Sequence, residues 1–249
     1  MRHTFAIVAL SLVTSSTFAQ PMSTFGTDAE DWRAIDDANA IRSTQWVAAG
    51  GSPGGYIERD DFGSGSYFFL APSAFLGDLS SFVGGQLQFA LRSVGDADLS
   101  TQTDDIVIIG SAGRINLDVP TSRNPGPSWT SFSIGLSDME PWVYDGPLSN
   151  LSQNELIGAV LTDVTELRIR GDWREGPDTG SLDTVSLVAG NCNPADLALP
   201  FGLLDLADID AFIAAFVAED ALADIVAPFG VIDLGDIDAF IASFLGGCP

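Results

Sequence analysis

Lysine is absent from this chain of 249 residues, and its one histidine, His3, stands near the very start. The basic residues are ten arginines, set against 34 acidic residues for a formal net charge of −24. Histidine is the usual general base near neutral pH, so most hydrolytic triads are excluded from the body of the chain. The run Gly50-Gly51-Ser52-Pro53-Gly54 fits the G-x-S-x-G pattern of a nucleophile elbow, but Ser52 has no histidine to take its proton. Its glycines and proline read instead as a tight turn before a strand. The negative excess repels nucleic acid and anionic lipid, which excludes nucleic acid as a partner. Solubility in salty surroundings and binding of divalent cations account for it equally well.

Long apolar runs are also lacking. The one near the start, Phe5 to Val13, follows Met1, Arg2 and His3 and precedes small residues ending in Thr17, Phe18 and Ala19. It is too short to span a bilayer and reads as a secretory signal peptide over residues 1–19, cleaved after Ala19. No other stretch is long enough for a membrane span, so a secreted or cell-surface protein is expected.

What the chain does have, from residue 20 to 190, is short β-rich runs separated by Gly, Pro, Asn, Asp and Ser. In QLQFALRS, Leu87, Phe89 and Leu91 alternate with Gln86, Gln88, Ala90 and Arg92, as in a strand with one wet face, whereas DIVIIG is apolar throughout and fits a strand covered on both faces. The expected class is mostly β, an antiparallel β-sandwich followed by a small helical module. Trp32, Trp46, Trp129, Trp142 and Trp173 all lie in the β-rich part. Core packing suits most of them, and Trp142 with Tyr144, in the turn-rich DMEPWVYDGPLSN, is the expected surface platform for a sugar ring.

The Gly-Gly-Tyr-Ile turn at 54–57, the segment FLAPSAFLGD, the strand RIRGDW and the closing LDTV, in that order, resemble the laminin B domain, also called laminin IV type A. The resemblance implies a jelly-roll sandwich akin to carbohydrate-binding modules, and it does not imply catalysis. Such jelly rolls often hold a structural calcium where the first strand lies beside the last, and the matching oxygen donors here are Asp28, Glu30 and Asp183.

After Gly190 the composition changes. The 58 residues from Cys192 onward carry ten acids and no basic residue, and Cys192 and Cys248 bracket them. In an exported chain the two cysteines read as a disulfide tying the ends of a 191–249 module. Within it PFGLLDLADIDAFIAAF recurs 28 residues later as PFGVIDLGDIDAFIASF, aligning Asp196 with Asp224, Asp205 with Asp233 and Asp208 with Asp236. Ile209, Phe212, Ile213 and Phe216 fall at helical spacing, as do Ile237, Phe240, Ile241 and Phe244, giving each helix one apolar stripe.

The paired loop and helix, ending in Gly247-Cys248, resembles a dockerin of the divergent type found at the end of exported bacterial proteins. The resemblance implies a cohesin-like or cell-surface protein partner, with Ile209 and Ile237 as the exposed helix positions that bind it. It also implies calcium in each loop. If Gly202 is the loop glycine, Asp205 and Asp208 fall at ligand positions 9 and 12, but Asp196 sits one residue early, and Ala198 and Pro200, or Val226 and Pro228, replace the middle ligands. The loops are expected to be held either by calcium or by Phe201 and Phe229 tucked under the helices. The expected function is that of a non-catalytic binding protein, its sandwich facing a glycan or matrix ligand. The alternatives are a carbohydrate-active hydrolase using a carboxylate pair in a cleft, one of raised pKa, and a purely structural matrix protein.

Overall fold

The computed structural model describes residues 20–61, 65–101, 103–198, 201–202 and 204–248. The expected signal peptide, residues 1–19, lies outside them. In chain order the strands are β1 (Met22–Ser23), β2 (Arg33–Asp36), β3 (Ile41–Ser43), β4 (Gln45–Gly51), β5 (Gly54–Asp60), β6 (Tyr67–Leu70), β7 (Gln86–Val94), β8 (Ile106–Gly110), β9 (Gly113–Leu117), β10 (Thr130–Gly135), β11 (Val143–Asp145), β12 (Val164–Arg170) and β13 (Thr179–Val188). Helix α1 (Gln153–Leu161) precedes β12, and α2 (Leu206–Val217) and α3 (Leu234–Gly246) follow the strands.

One sheet runs β10-β7-β13-β5-β4, with β1 added alongside β13, and the other runs β11-β9-β8-β12-β6-β2-β3. Every pairing within them is antiparallel, and one buried cluster draws on both sheets. The expected mostly β, antiparallel sandwich is therefore the fold. Leu87, Phe89 and Leu91 point inward as their alternation requires, and Phe89 lies opposite Phe132 of β10 with ring centroids 5.0 Å apart. In β8, Ile106, Val107 and Ile108 are all buried, and α1 backs the end of that strand so closely that a methyl on Gly110 would lie 2.3 Å from the Val160 carbonyl. A capping box, Ser152 with Glu155, starts α1.

The Arg168–Trp173 stretch that carries the family resemblance closes one end of the sandwich. Arg170, 1% exposed, pairs with Asp105 at 2.7 Å and donates through Nε to the Asp172 carbonyl at 2.7 Å. Asp105 in turn accepts from the Val119 amide at 2.7 Å, and Trp173 donates its indole N–H to the Arg170 carbonyl at 3.0 Å. Gly171 is required here, because a Cβ would lie 2.1 Å from the Tyr67 ring. One ion pair thus ties β12, the residue before β8, and the segment after β9.

The helical part has its own small core of Ala195, Phe212, Ala215, Ala223 and Phe240. Phe212 and Phe240 stack with centroids 4.1 Å apart, at equivalent places in the two repeats. The disulfide between Cys192 and Cys248 is formed, and closing so long a loop stabilises the segment by about 4 kcal/mol.

Removing one member of a buried ion pair leaves the other charged and uncompensated. Asp105→Ala is expected to lower unfolding stability by about 3–5 kcal/mol, read by urea denaturation; a loss under about 1 kcal/mol, no more than a surface pair contributes, would show that Arg170 does not depend on it.

Candidate functional site

Irregular backbone gathers where the start of the sandwich meets β13. Phe25, Glu30, Asp31 and Thr184 all have positive φ, between 49° and 61°, a conformation L residues hold only when their surroundings impose it. The β4–β5 pairing shifts register between Val47 and Gly51, and the β13–β7 pairing shifts between Asp183 and Ser186. Such bulges re-aim side chains. Here they aim Asp183, 0% exposed, at the β4–β5 turn, where it accepts the Ser52 amide, and its other oxygen accepts the Thr184 amide at 2.7 Å. Ser52 therefore belongs to a turn, as its glycines and proline imply.

Burial pushes the Asp183 carboxyl above the ordinary range, and the negative charge of Glu30 adds to the rise. Glu30 accepts the Phe25 amide at 2.6 Å and the Thr24 amide at 3.2 Å, while Asp28 accepts the Glu30 amide at 2.8 Å. A Cβ on Gly51 would meet Asp183 Oδ2 at 2.5 Å and the carbonyls of Gly55 and Gly54 at 2.6 and 2.9 Å. Three oxygens, one from a carboxylate, thus crowd a point that only a glycine leaves open. This donor set fits a hard cation. It is not the set named from sequence, because Asp28, Glu30 and Asp183 do not bring three carboxylate oxygens within 4.8 Å of one another among the described residues.

Aromatic side chains collect at the same end. Trp46 is 36% exposed and donates to the Phe25 carbonyl at 2.7 Å; Trp129, half-buried, donates to the Gly50 carbonyl at 2.8 Å. The Arg92 guanidinium lies 4.9 Å from the ring centroids of both Tyr56 and Trp129. A groove of about 240 Å³ nearby is lined by the polar residues Thr24, Gln88, Ser131, Thr184 and Ser186 and by the apolar Met22, Phe89 and Phe132. Trp142, the platform expected from sequence, is corrected: it is 4% exposed, belongs to the sandwich core and donates its indole N–H to the Gly135 carbonyl at 2.8 Å. Tyr144 is half-buried beside it, its hydroxyl donating to the Ala112 carbonyl at 2.6 Å. Nothing in the sequence separates Trp129 from Trp142, since both stand in turn-rich segments.

Carboxylates with raised pKa do exist: burial raises Asp105, which is paired with Arg170 and lines a cavity of about 290 Å³ together with Asp118, and a second set lies in the interior. Burial and the neighbouring charge of Asp178 push Asp172 up to about 6, and burial raises Asp178 as well. Each is 4% exposed. Asp178 is held by the Ser93 hydroxyl at 2.9 Å and the Trp173 amide at 3.3 Å, and Asp172 by the Arg174 amide at 3.4 Å. Both are interior acids within the β12–β13 connection.

In the paired repeats, amide N–H groups converge on a carboxylate at the centre of each loop. Asp208, 1% exposed, accepts the amides of Leu197 at 2.7 Å, Ala198 at 2.8 Å and Asp205 at 2.8 Å; Asp236, 0% exposed, accepts those of Ile225 at 2.9 Å, Val226 at 3.1 Å and Asp233 at 2.9 Å. Those backbone bonds hold the Asp236 carboxyl below its usual range. Asp196 closes its loop by accepting the amides of Cys192 at 2.7 Å and Gly202 at 2.6 Å, and Asp224 accepts that of Gly230. Asp205 and Asp233 cap α2 and α3 by accepting the amides of Ala207 and Gly235, each at 2.7 Å. Each loop thus gathers amide donors around one carboxylate, while Asp196 and Asp224 each keep one buried oxygen without a hydrogen-bond partner. Asp196, Asp205 and Asp208 do not gather; the one close group of candidate ligands among the described residues is Asp196 with the disulfide sulfurs of Cys192 and Cys248.

Two expectations about this segment need correcting. Phe201 packs against the sandwich core and Phe229 is 74% exposed, so neither is tucked under the helices. Ile209 and Ile237 lean on the small core, whereas Ile213 and Ile241, 54% and 48% exposed, face outward. The Phe212–Phe240 stack and small Ala215 narrow the buried stripe, and each helix's isoleucine at the fourth position beyond falls outside it.

Both kinds of buried acid give measurable consequences. The folded-state pKa of Asp172 lies above the unfolded value, so its ionisation penalises the native state above pH 6, and stability rises as pH falls from 7 towards 5. Asp172→Asn is expected to raise stability at pH 7 by an amount on the order of 2 kcal/mol and to flatten the rise on acidification; an unchanged pH profile of melting temperature would refute this. Asp208→Ala strands three amides and is expected to collapse the first loop, seen as rapid hydrogen exchange at Leu197, Ala198 and Asp205 that added calcium does not slow.

A family model described as laminin B (domain IV) matches residues 68–199. Laminin subunit gamma-1 of Homo sapiens is 28% identical over 179 residues, covering 69% of this chain and 10% of the relative. Laminin-like protein lam-2 of Caenorhabditis elegans is 25% identical over 174 residues, covering 70% of this chain and 10% of the relative. This chain accordingly spans about a tenth of the length of the curated relatives it matches. Among solved structures, the L4b domain of human laminin alpha-2 superimposes with a TM-score of 0.54 at 16% identity, covering 67% of this chain and 95% of that domain, a likeness of fold. With more than half of the residues matched, through the sandwich strands and the Arg170 clasp, the chain belongs to the laminin B (domain IV) family.

Proposed function

We propose that this is an exported, non-catalytic binding protein whose sandwich takes an extracellular glycan or matrix ligand and whose paired repeats, a dockerin-like tail, attach it to a protein partner or cell surface. The observation that carries the reading is the group of Trp46, Trp129, Tyr56 and Arg92 around the β4–β5 turn, beside a groove that mixes hydroxyl and amide side chains with Met22, Phe89 and Phe132. Ring faces stack on sugars, and hydroxyl and amide groups satisfy sugar hydroxyls. The net charge of −24 favours a neutral polysaccharide over a sulfated one. Lack of lysine and of histidine beyond His3, together with the burial of Asp172 and Asp178, supports the absence of catalysis.

Calcium at the Asp183 end would neutralise a buried carboxylate and bind the β4–β5 turn to β13, with Asp183 and the Gly54 and Gly55 carbonyls as the donors. Its role is to stiffen the turn on which the aromatic group stands. In the full chain, calcium is expected to raise the melting temperature, and Asp183→Asn to remove that rise. Neutral oligosaccharides are expected to bind the wild type, and Trp129→Ala to weaken that binding at least tenfold while the fold is kept. A chain that takes no neutral glycan, or a Trp129→Ala variant that binds as before, sinks the glycan reading; no calcium effect sinks only the metal.

A further inference from the structure

The two repeats share a loop but not its surroundings. Gly202 and Gly230, with φ of 85° and 90°, turn the chain alike just after Phe201 and Phe229. In the first repeat the turn is seated on the sandwich: Phe201 packs against its core, and a Cβ on Gly202 would lie 3.2 Å from Ala189 and 3.4 Å from the Ser81 carbonyl. The seat is thus the end of β13 together with the turn before β7. In the second repeat nothing lies within 4 Å of the same point on Gly230, and Phe229 and Val231 are 74% and 52% exposed. Asp196 behind the first turn is 0% exposed, whereas its counterpart Asp224 is only half-buried. An internal near-twofold relation about the Phe212–Phe240 stack is therefore broken by the sandwich, which covers one loop and leaves its twin bare.

We propose that the Phe229 turn is the docking knob of the tail, and that its partner is the end of a β-sandwich in another molecule, offering a seat like the one Phe201 already fills. Phenylalanine followed by a glycine of the same φ stands at the equivalent place in both repeats, so a surface that seats Phe201 is complementary to Phe229 as well. Docking takes place in one orientation, because the symmetry-related loop is occupied within the chain. The tail has ten acids and no basic residue, so the partner's seat has a neutral or basic rim. This deepens the reading of the tail as an attachment device and is independent of what the sandwich binds.

The chain's own seat serves as the probe. In the full-length double variant Phe201→Ser, Phe229→Ser the seat is open and the knob is gone. At high ionic strength, to screen the net charge, wild type mixed with this variant is expected to form a 1:1 complex in sedimentation velocity. The Phe229→Ser single variant mixed with the same double variant is expected to bind at least tenfold more weakly. No complex with wild type, or an equal complex with Phe229→Ser, overturns the proposal. If the serine at 201 unfolds the tail, the pair Phe201→Ala and Phe201→Ala, Phe229→Ala repeats the test as self-association, expected in the first and absent in the second; association in both, or in neither, overturns it as well. Failure here, with tail-dependent attachment to a natural partner retained, moves the contact to the outward helix residues Ile213 and Ile241 and leaves the attachment reading standing.

Discussion

The bond on which the most of this molecule depends joins a carboxylate to a backbone amide. A folded chain must find acceptors for the N–H groups of its irregular segments, since a buried one left unpaired costs about 1–3 kcal/mol. Here acids supply them: Glu30 for the first loop, Asp105 for the segment after β9, Asp183 for the β4–β5 turn, Asp208 and Asp236 for the two repeat loops. A composition that reads as a device for solubility or for cations is, at these positions, an internal scaffold. Charge-assisted bonds of this kind are stronger than neutral ones, and their donors fix the direction of the chain around them.

That use of acids accounts for the odd form of the repeat. A calcium loop converges oxygens on a cation, whereas this one converges amides on Asp208 or Asp236. Apolar residues then stand where ligands would, because Leu197, Ala198, Ile225 and Val226 take part through their main chain only. Within the Pro-Phe-Gly insertion, Phe201 packs inward on the sandwich and Phe229 stands exposed.

Much of the fold is legible in the order of residues. Alternation in QLQFALRS places Leu87, Phe89 and Leu91 inside, continuous apolarity in DIVIIG marks a strand covered twice, and the spacing of two cysteines around a repeat gives the disulfide. The functional ends are less legible, for identifiable reasons. Trp142 sits among turn residues yet is buried, because its segment folds back and gives its indole the Gly135 carbonyl. The oxygens beside Gly51 come from two carbonyls and a bulged strand, and no side-chain pattern records a carbonyl's direction. The helical stripe in α2 is right in period but too wide: stacking on Phe240 buries Phe212 and leaves Ile213 outside, while Asp208 is buried where a hydrophobic residue would be expected.

The disulfide turns the paired repeats into a ring, and Phe229 lies on the arc between its two sulfur-bearing ends. Tension applied between the sandwich and a partner held at Phe229 would therefore divide over two covalent routes. One passes through α2, and the other crosses the sulfur bridge and returns through α3. Unravelling either helix alone would lengthen one route while the other stayed taut, so the attachment would resist a steady pull until both helices gave way together. A linear tail of the same two repeats would yield at the weaker one.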